Sequence, residues 1–262
     1  MTSDVNDDSV AMSIVIIAKN EEERLPECLK SVSWAKEIVV INDESTDRTV
    51  EIAKTYTDKV FTRKMGIEGK QRNFALAQAT CDWIFSLDAD ERVSPELASE
   101  VKNVVEKNDP AVAGYSMPVK TFIGKRWIKG AGYYPARKLR LFRRGKFRYE
   151  ETAVHPRIFL DGKYVFLKGD IIHLGFRDLW HFIDKLNNQT TLEAQKWILD
   201  GRKVSALNTF RKVVDRFLRN YLRKGGWRDG FLGFIMSVFH SLYQLFTYAK
   251  YWELKRNGMN AK

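Results

Sequence analysis

Short apolar runs alternate with segments of mixed polarity through the first hundred residues of the chain. The apolar runs predict strands at residues 12–18, 37–41, 59–62 and 81–87, and the spacing between them predicts helices at 25–32, 47–56 and 71–79. This alternation of strand and helix is typical of a parallel sheet that is covered by helices on both faces. We therefore predict an α/β fold for this part of the chain.

The pattern changes after Pro110. Further strands are predicted at 114–123 and 138–142, and a β-hairpin is predicted for 157–160 and 164–167 because Asp161-Gly162 separates two strand-like runs. From residue 178 onward the spacing of apolar residues is helical. We predict a polar tail at 1–11, an α/β domain at 12–177 with halves at 12–100 and 111–177, and a helical appendage at 178–262.

Two stretches of the appendage have the composition of segments that contact membranes. The first is an amphipathic helix with basic residues beside an apolar face, formed by Phe210, Val213, Val214, Phe217, Leu218, Tyr221 and Leu222. The second, 231–249, has no Asp, Glu, Lys or Arg, but its polar residues make it a poor span. Three interpretations stay open: the helices cap the core, they dock on an anionic membrane, or 231–249 inserts in the membrane.

The charge of the chain is positive and unevenly distributed. Of the 262 residues, 44% are hydrophobic and 29% are charged, as in a globular protein, and the formal net charge is +11. No acid occurs between 111 and 149, where eleven Lys or Arg lie, and the block 202–228 has nine Lys or Arg against one Asp. Such fields attract anionic lipids, nucleic acid or phosphorylated saccharides, and charge alone does not choose among them.

The cysteines and the first residues bear on the cellular compartment. Cys28 and Cys81 lie in apolar contexts without the spacing of metal ligands, so we interpret them as reduced thiols of a cytoplasmic protein. Residues 1–11 are polar and acidic, and they lack the basic and apolar regions of a signal peptide. We therefore expect a cytoplasmic protein.

The most informative stretch is the end of the fourth predicted strand. The apolar run 83–87 is followed by two carboxylates, Asp88 and Asp90, and Ser94 and Pro95 then begin a helix. A buried strand thus brings two acids to the carboxyl edge of a sheet, where open α/β sheets bind ligands. Oxygen ligands of this kind suit Mg²⁺ or Mn²⁺, which usually complete their coordination with phosphate oxygens of the substrate.

Three further polar motifs accompany the predicted strands. Ala18-Lys-Asn-Glu-Glu22 follows the first strand, Asn42-Asp-Glu-Ser-Thr-Asp-Arg-Thr49 follows the second, and Gly69-Lys-Gln-Arg-Asn-Phe-Ala-Leu76 precedes the fourth. Together with Leu87-Asp-Ala-Asp90, this ordered set resembles glycosyltransferase family 2, the inverting enzymes of GT-A fold that use nucleotide-diphospho-sugars. Within the family, the chain looks most like the small transferases of lipopolysaccharide inner-core assembly.

The resemblance implies roles for residues around the nucleotide. Ala18, Asn20 and Glu21 would line the nucleotide pocket behind the first strand. Asp43 would meet the uracil, since a carboxylate accepts a hydrogen bond from a ring N–H. The family usually has its first acid where Asn42 stands, so this contact belongs to either residue.

The resemblance also implies a diphosphate and metal site. Lys70 and Arg72 would lie against the base and the diphosphate, because arginine suits bidentate phosphate contacts. Asp88 would bind ribose or sugar hydroxyls and is a further candidate metal ligand, and Asp90 would ligate a Mg²⁺ or Mn²⁺ that bridges the two phosphates. These four residues form the implied donor site.

An inverting transfer also needs a base for the acceptor hydroxyl. Glu150 and Glu151 are the acids that follow the basic tract, at the position where the resemblance implies this base, and both stay candidates, with Glu151 favoured. Pro156 stands where relatives often carry Glu after Val-His, so the chain departs from the family pattern here. His155 and His173 would each ligate the metal or position a phosphate, or else belong to the core.

The resemblance and the charge together imply the partners. We expect a UDP-sugar donor, a phosphorylated glycolipid acceptor, and a peripheral position on the cytoplasmic, inner face of the plasma membrane through the basic C-terminal helices. Nucleic acid is not expected, because aromatic residues interleave only weakly with the bases of this chain. The alternative is a non-catalytic, basic membrane-binding module, which would not need the convergent acids Asp88 and Asp90.

Overall fold

The protein is described by a computed structural model over residues 9–152 and 156–258, and this part of the chain forms twelve strands and seven α-helices. The strands are β1 Val10–Ala18, β2 Ala35–Asn42, β3 Val60–Thr62, β4 Trp83–Asp88, β5 Glu91–Val93, β6 Val112–Ile123, β7 Arg126–Trp127, β8 Ala136–Arg143, β9 Phe147–Tyr149, β10 Ile158–Leu160, β11 Lys163–Phe166 and β12 Ile171–Phe176. The helices are α1 Leu25–Lys30, α2 Thr49–Lys54, α3 Glu68–Ala77, α4 Pro95–Lys107, α5 Leu179–Leu199, α6 Ala206–Leu218 and α7 Gly230–Arg256. A π-helical turn, Arg219–Arg223, and a 3₁₀ turn, Gly226–Asp229, connect α6 to α7.

Ten of these strands form one mixed sheet. Its order is β3-β2-β1-β4-β8-β6-β12-β5, with β7 and β11 also paired to β6. The strands β3, β2, β1 and β4 are parallel, whereas β8 runs antiparallel to β4 and β5 runs antiparallel to β12. The predicted α/β class is therefore confirmed, and its parallel half comes from the first hundred residues.

Alternate residues of β1 face opposite sides of the sheet, as the two-residue period of a strand requires. Ile14 belongs to a core with Leu29 of α1 and Leu97 of α4, whereas Val15 belongs to a core with Leu76 of α3. Helices therefore cover both faces of the sheet, as predicted. The carboxyl ends of β1, β2 and β4 lie at one edge, where the polar motifs follow them.

By its internal contacts the chain divides into two compact units. Among the described residues, the first unit comprises those up to Val119 together with those of Arg137–His173, and the second comprises Lys120–Ala136 together with those from Leu174 onward. The segment 120–136 thus groups with the C-terminal helices, because the Asp229 carboxylate accepts hydrogen bonds from two of its backbone N–H groups, at 3.0 and 2.6 Å. The domain limits 12–177 and 178–262 themselves stay a prediction.

The predicted hairpin at Asp161-Gly162 is wrong. β10 pairs antiparallel with β9, and β11 pairs parallel with β6, so the strands on either side of the turn do not pair with each other. The backbone N–H of Asp161 continues the β9–β10 pairing by donating to the carbonyl of Lys146 at 2.8 Å. Gly162, at φ +129°, then turns the chain onto β6, where an added Cβ would lie 2.7 Å from the Cβ of Ala113.

A buried carboxylate, Glu37, joins four segments at the amino edge of the sheet. It lies on β2 with 8% of its surface exposed, and it accepts hydrogen bonds from Ser13, from Lys59 and from the backbone and hydroxyl of Thr80. Burial alone would raise the pKa of Glu37, but these hydrogen bonds outweigh it and lower the pKa to about 2.

We expect Glu37→Gln to destabilise the protein by about 2–3 kcal/mol near neutral pH. The folded pKa lies below the ordinary value of 4.5, so the contribution of the carboxylate is complete above that pH and is lost as the pH falls toward 2. Urea unfolding at several pH values should therefore show the difference between wild type and variant shrinking in acid. Glu106→Gln, on the exposed side of α4, is the control, and a pH-independent difference for Glu37→Gln would contradict the assignment.

The structure divides the apolar face that the sequence predicts around α6. Phe217 and Tyr221 pack against Phe234 of α7, with ring centroids 5.9 and 5.8 Å apart, because α6 lies against α7 along one side only. Val213 is half-buried, whereas four other residues of the predicted face are exposed. Together with Leu207 they form an exposed series, which we call the outer row: Leu207, Phe210, Val214, Leu218 and Leu222. The members of the outer row are three or four positions apart and therefore share one side of the helix.

The last helix meets the length and composition of a membrane span. Within the described residues, the one such segment is Gly226–Arg256, whose most apolar window has a mean hydropathy of 1.2 and is 28% buried. In the second unit, Met236 packs in a core with Phe182 of α5, and Tyr251 packs in another with Trp197. One side of α7 therefore covers apolar residues of α5, and the three interpretations of these helices stay predictions.

Candidate active site

The loops after β1 and β2 are tied to each other by hydrogen bonds. The side chain of Asn20 accepts from the backbone N–H of Thr46 at 2.8 Å, and its own N–H donates to Ser45 Oγ at 2.9 Å. Asn20 has φ +52°, a conformation that asparagine tolerates. The backbone N–H of Glu21 donates to Thr49 Oγ1 at 2.8 Å. Asn20 and Glu21, both predicted in the nucleotide pocket, thus lie at one loop junction.

Asn42 and Asp43 are both buried at the end of β2. The Asn42 side chain donates to Thr62 Oγ1 at 3.2 Å and accepts from the backbone N–H of Ser45 at 3.0 Å. The Asp43 carboxylate accepts from Lys19 Nζ at 3.0 Å and from a backbone N–H at 2.7 Å, and its own N–H donates to the carbonyl of Ala18. The structure therefore brings these predicted residues together with Ala18, while their contact with uracil stays a prediction.

Asp88 lies between two guanidinium groups. Its Oδ1 is 3.1 Å from Arg72 Nη1, and its Oδ2 is 2.7 Å from Arg140 Nη2. Burial alone would raise the pKa of Asp88, but the charges of Arg140 and Arg72 outweigh it and hold this pKa well below the usual range. The two guanidinium groups therefore favour the ionised form of Asp88, and its carboxylate orients both arginines.

The arginine of this pair that sequence reasoning missed is Arg140, on β8. It is 4% exposed, and its Nη2 also lies 2.7 Å from Glu91, which is fully buried at the start of β5. The other carboxylate oxygen of Glu91 accepts from the backbone N–H of Asp88 at 3.0 Å. The sequence does contain a signal for this cluster, because a charged residue lies between Leu139 and Leu141 in a predicted strand.

Asp90 lies beside a different set of groups. Its Oδ2 is 3.5 Å from His173 Nε2 and 3.9 Å from Arg24 Nη1, and its side chain is 12% exposed. His173 lies on β12 opposite Glu91 of β5, and Arg24 also pairs with Glu21 at 2.7 Å. Asp90 therefore faces the imidazole of one strand and an arginine that reaches back to the first polar motif.

The donor set at Asp90 fits a divalent metal that is held partly by its substrate. A carboxylate oxygen and an imidazole nitrogen face each other, and both are ligands of Mn²⁺, while Mg²⁺ prefers the oxygen. No group of three or more His, Cys, Asp or Glu that could hold a metal occurs within 9–152 and 156–258. Phosphate oxygens would have to supply further ligands, and His155, the other histidine predicted as a metal ligand, lies outside the described residues.

Helix α3 carries Arg72 and holds the segment that bears the candidate bases. A Cβ on Gly69 would lie 1.8 Å from the carbonyl oxygen of Glu150, so only glycine permits this approach. The side chain of Asn73 donates to the carbonyl of Tyr149 at 2.9 Å and accepts from its N–H at 2.8 Å. The segment 149–152 is therefore fixed against the first turns of α3.

The two candidate bases have different neighbours. Glu151 Oε2 is 3.8 Å from Lys70 Nζ, and its side chain is 58% exposed. Glu150 is less exposed, and its carboxylate accepts from the backbone N–H of Arg157 at 3.3 Å. Glu151 thus lies beside a residue that the sequence assigns to the diphosphate, whereas Glu150 is engaged with its own loop.

A cleft of about 360 Å³ opens beside this cluster. Its walls include Glu68, Arg72, Asp88, Arg137, Arg140 and Tyr149. Arg72 is held there by Glu68 at 2.9 Å as well as by Asp88, and its guanidinium lies 5.4 Å from the ring centroid of Tyr149. The cleft can therefore present an oriented arginine and a carboxylate to an anionic or hydroxyl-bearing ligand.

Residues 13–160 match the family described as Glycosyl transferase family 2. The chain is 30% identical to the lipopolysaccharide core biosynthesis glycosyltransferase LpsC of Rhizobium meliloti, over 96% of this chain and 94% of that protein. It is 28% identical to an uncharacterized glycosyltransferase of Rickettsia typhi, over 95% of this chain and 89% of that protein. Among solved structures, S. aureus TarS is similar with a TM-score of 0.43 and 14% identity, over 94% of this chain and 91% of that chain.

Proposed function

Because the chain belongs to glycosyltransferase family 2, we propose that it transfers a hexose, with inversion, from a UDP-sugar to a phosphorylated, lipid-linked saccharide of the cell envelope. The observation that carries the proposal is the pair Asp88 and Asp90 at the end of β4, with two arginines on the first and a histidine beside the second. The name of the Rhizobium meliloti relative, to which 96% of this chain aligns, supports an acceptor of the lipopolysaccharide core type.

The donor would bind along the edge formed by the ends of β1, β2 and β4. Asp88 and Glu68 hold the guanidinium of Arg72 in place, so this arginine needs little reorganisation to bind the diphosphate. Each carboxylate oxygen accepts more than one hydrogen bond, so Asp88 can receive a sugar or ribose hydroxyl while it keeps its arginines. Asn20 and Glu21 would shape the nucleotide pocket through their loop.

Asp90 and His173 would hold the divalent metal together with the diphosphate oxygens of the donor. When bound, the metal supplies electrostatic stabilisation of the leaving UDP. Arg72 and Lys70 would contribute positive charge to the same diphosphate. The chain's own residues thus orient the phosphates on two sides.

Glu151 is the base that we propose for the acceptor hydroxyl. The Glu151 carboxylate lies 3.8 Å from Lys70 Nζ and therefore beside the position that we propose for the diphosphate. Its side chain is exposed, so an incoming acceptor can reach it. It would accept the proton of the hydroxyl as that oxygen attacks the anomeric carbon on the side opposite the leaving UDP. Glu150 stays the alternative.

Calorimetric titration with UDP tests the donor half of the proposal. We expect binding that weakens at least about tenfold when Mn²⁺ is withheld or when Asp90 is replaced by alanine. Asp82→Ala, which removes an 82% exposed carboxylate next to the other end of β4, should bind UDP like the wild type. Failure of the wild type to bind UDP would contradict the donor assignment, and binding independent of metal and of Asp90 would contradict the metal site.

We propose that the protein associates peripherally with an anionic, cytoplasmic membrane face through the outer row. These exposed apolar residues are accompanied by Arg211, Lys212, Arg219 and Arg223, which are exposed on the same helix or its π-helical turn. Exposed apolar residues next to basic ones are the combination that interfacial helices use on anionic lipids. Such a position would bring the enzyme to a lipid-linked acceptor.

We expect the double variant Phe210→Asp, Leu218→Asp to lose at least about tenfold in affinity for vesicles of phosphatidylcholine and phosphatidylglycerol. The two side chains are 64% and 46% exposed, so the substitutions leave the packing against α7 in place. Leu199→Asp, at a 74% exposed leucine of α5, is the matched control. Co-sedimentation measures the affinity, and full co-sedimentation of the double variant would exclude the outer row as the anchor.

A further inference from the structure

The cleft beside Asp88 contains one arginine whose charge is not balanced by a carboxylate of the described residues. Arg72 and Arg140 each pair with Asp88, at 3.1 and 2.7 Å. Lys138 lies 3.5 Å from the buried Glu91. Arg137 lies on the wall of the same cleft, and its contacts within 9–152 and 156–258 are to uncharged groups.

Those uncharged contacts fix the direction of the Arg137 guanidinium. Its Nη1 donates to the carbonyl of Leu167 at 2.8 Å, and its Cζ lies 4.8 Å from the ring centroid of Phe166. Both partners orient the planar group without neutralising it, and the residue stays exposed. An oriented and uncompensated guanidinium is suited to an oxyanion that it can bind with two parallel hydrogen bonds.

The wall around Arg137 also offers apolar surface. Leu139, Pro156 and Ile158 line the cleft, and Ile158 is 41% exposed. The carbon faces of a sugar ring suit such a surface, while its substituents need polar partners. The cleft thus combines a place for a sugar ring with a charged group for one of its anionic substituents.

We propose that Arg137 binds a phosphate group on the acceptor saccharide and thereby selects phosphorylated acceptors. This inference rests on the proposed function, which assigns Lys70, Arg72 and Asp90 to the diphosphate of the donor. Arg137 is then left for the acceptor saccharide. Lys138, the next residue on β8, adds a charge that Glu91 already balances in part. Arg137 is accordingly a binding and specificity residue, with no role in the chemical step.

The test uses the full chain, saturated with UDP and Mn²⁺, and titrates it with mannose 6-phosphate or mannose as probes. We expect saturable binding of the phosphorylated sugar and, under the same conditions, none of mannose. Arg137→Gln should weaken the binding of mannose 6-phosphate about tenfold or more, whereas Arg137→Lys, which keeps the charge and loses the planar fork, should fall between the two. Arg144→Gln removes another exposed arginine, after the far end of β8, and should behave like the wild type.

The same variants are titrated with UDP, which separates this inference from the proposed function. Unchanged UDP affinity in Arg137→Gln, with loss of mannose 6-phosphate, supports the assignment. Equal loss of both would move Arg137 to the donor site and overturn it, as would equal binding of mannose and its phosphate by the wild type. If the wild type fails to bind UDP, the titration of mannose 6-phosphate without UDP still decides the role of Arg137.

Discussion

Replacing Asp90 with alanine is expected to lower turnover by roughly 10²–10³-fold, the effect of removing one electrostatic device from an active site. Asp90 is 12% exposed, and its Oδ2 faces His173 at 3.5 Å, so the substitution removes the carboxylate that we assign to the metal. UDP release from a UDP-sugar in the presence of Mn²⁺ and a lipid-linked acceptor measures the rate. His173→Ala should also lower turnover, because we assign His173 to the same metal.

Two controls accompany the Asp90 experiment. Asp82→Ala should retain full turnover, because this carboxylate precedes the other end of β4 and is 82% exposed. Near-ultraviolet circular dichroism should show that Asp90→Ala keeps its tertiary packing, since the core beneath β4 is apolar and unchanged. Full turnover in a folded Asp90→Ala would remove the metal from the mechanism.

We expect Arg140→Leu to destabilise the protein by about 3–5 kcal/mol, the effect of leaving a buried charge without its partner. Glu91 is fully buried and lies 2.7 Å from Arg140, so the substitution removes its buried partner. Lys138, which lies 3.5 Å away and has a 43% exposed side chain, would compensate this carboxylate only in part. Urea unfolding measures the change in the free energy of unfolding. Arg144→Leu, at an arginine whose side chain is 52% exposed and lies 4.0 Å from Asp82, should cost about 1 kcal/mol or less.

A double variant distinguishes an unpaired charge from lost packing at this position. Arg140→Leu combined with Glu91→Gln removes both charges of the buried pair, and we expect it to be more stable than Arg140→Leu alone. The comparison also needs Glu91→Gln alone. If Glu91→Gln lowers the free energy of unfolding of Arg140→Leu by as much as it lowers that of the wild type, the two side chains are not energetically coupled. In that case the pair of Arg140 and Glu91 would not explain how the backbone around Asp88 is held in place.

The sheet edge that carries Asp88 could be predicted from sequence because its signals are local. The apolar run before Asp88, the second acid at Asp90 and the helix start at Ser94 all lie in one short segment, and Ser94 does cap α4 by accepting from the N–H of Leu97. Each signal depends on the periodicity or capping chemistry of a single element. The α/β class and the positions of both acids followed from them.

The partners of those acids could not be predicted, because they come from distant parts of the chain. Arg140 is 49 positions from Glu91, and the register that joins them depends on the pairing of β8 with β4. The hairpin at Asp161-Gly162 was wrong for a similar reason, since a turn signal says that the chain reverses and not which strands pair. His173 likewise reaches Asp90 through a distant pairing, because it lies on β12, which pairs with β5.

The close approach of Gly69 to Glu150 packs the backbone of the candidate bases directly against the helix of Arg72. An added Cβ on Gly69 would lie 1.8 Å from the carbonyl oxygen of Glu150, and two hydrogen bonds join Asn73 to Tyr149, so movement of the segment 149–152 away from α3 would break these contacts. If Glu151 is the base that we propose, its backbone stays beside the helix that carries Arg72 and Lys70. The proton acceptor and the residues proposed for the diphosphate are then positioned together by the fold itself, and no separate closing step is needed to assemble them.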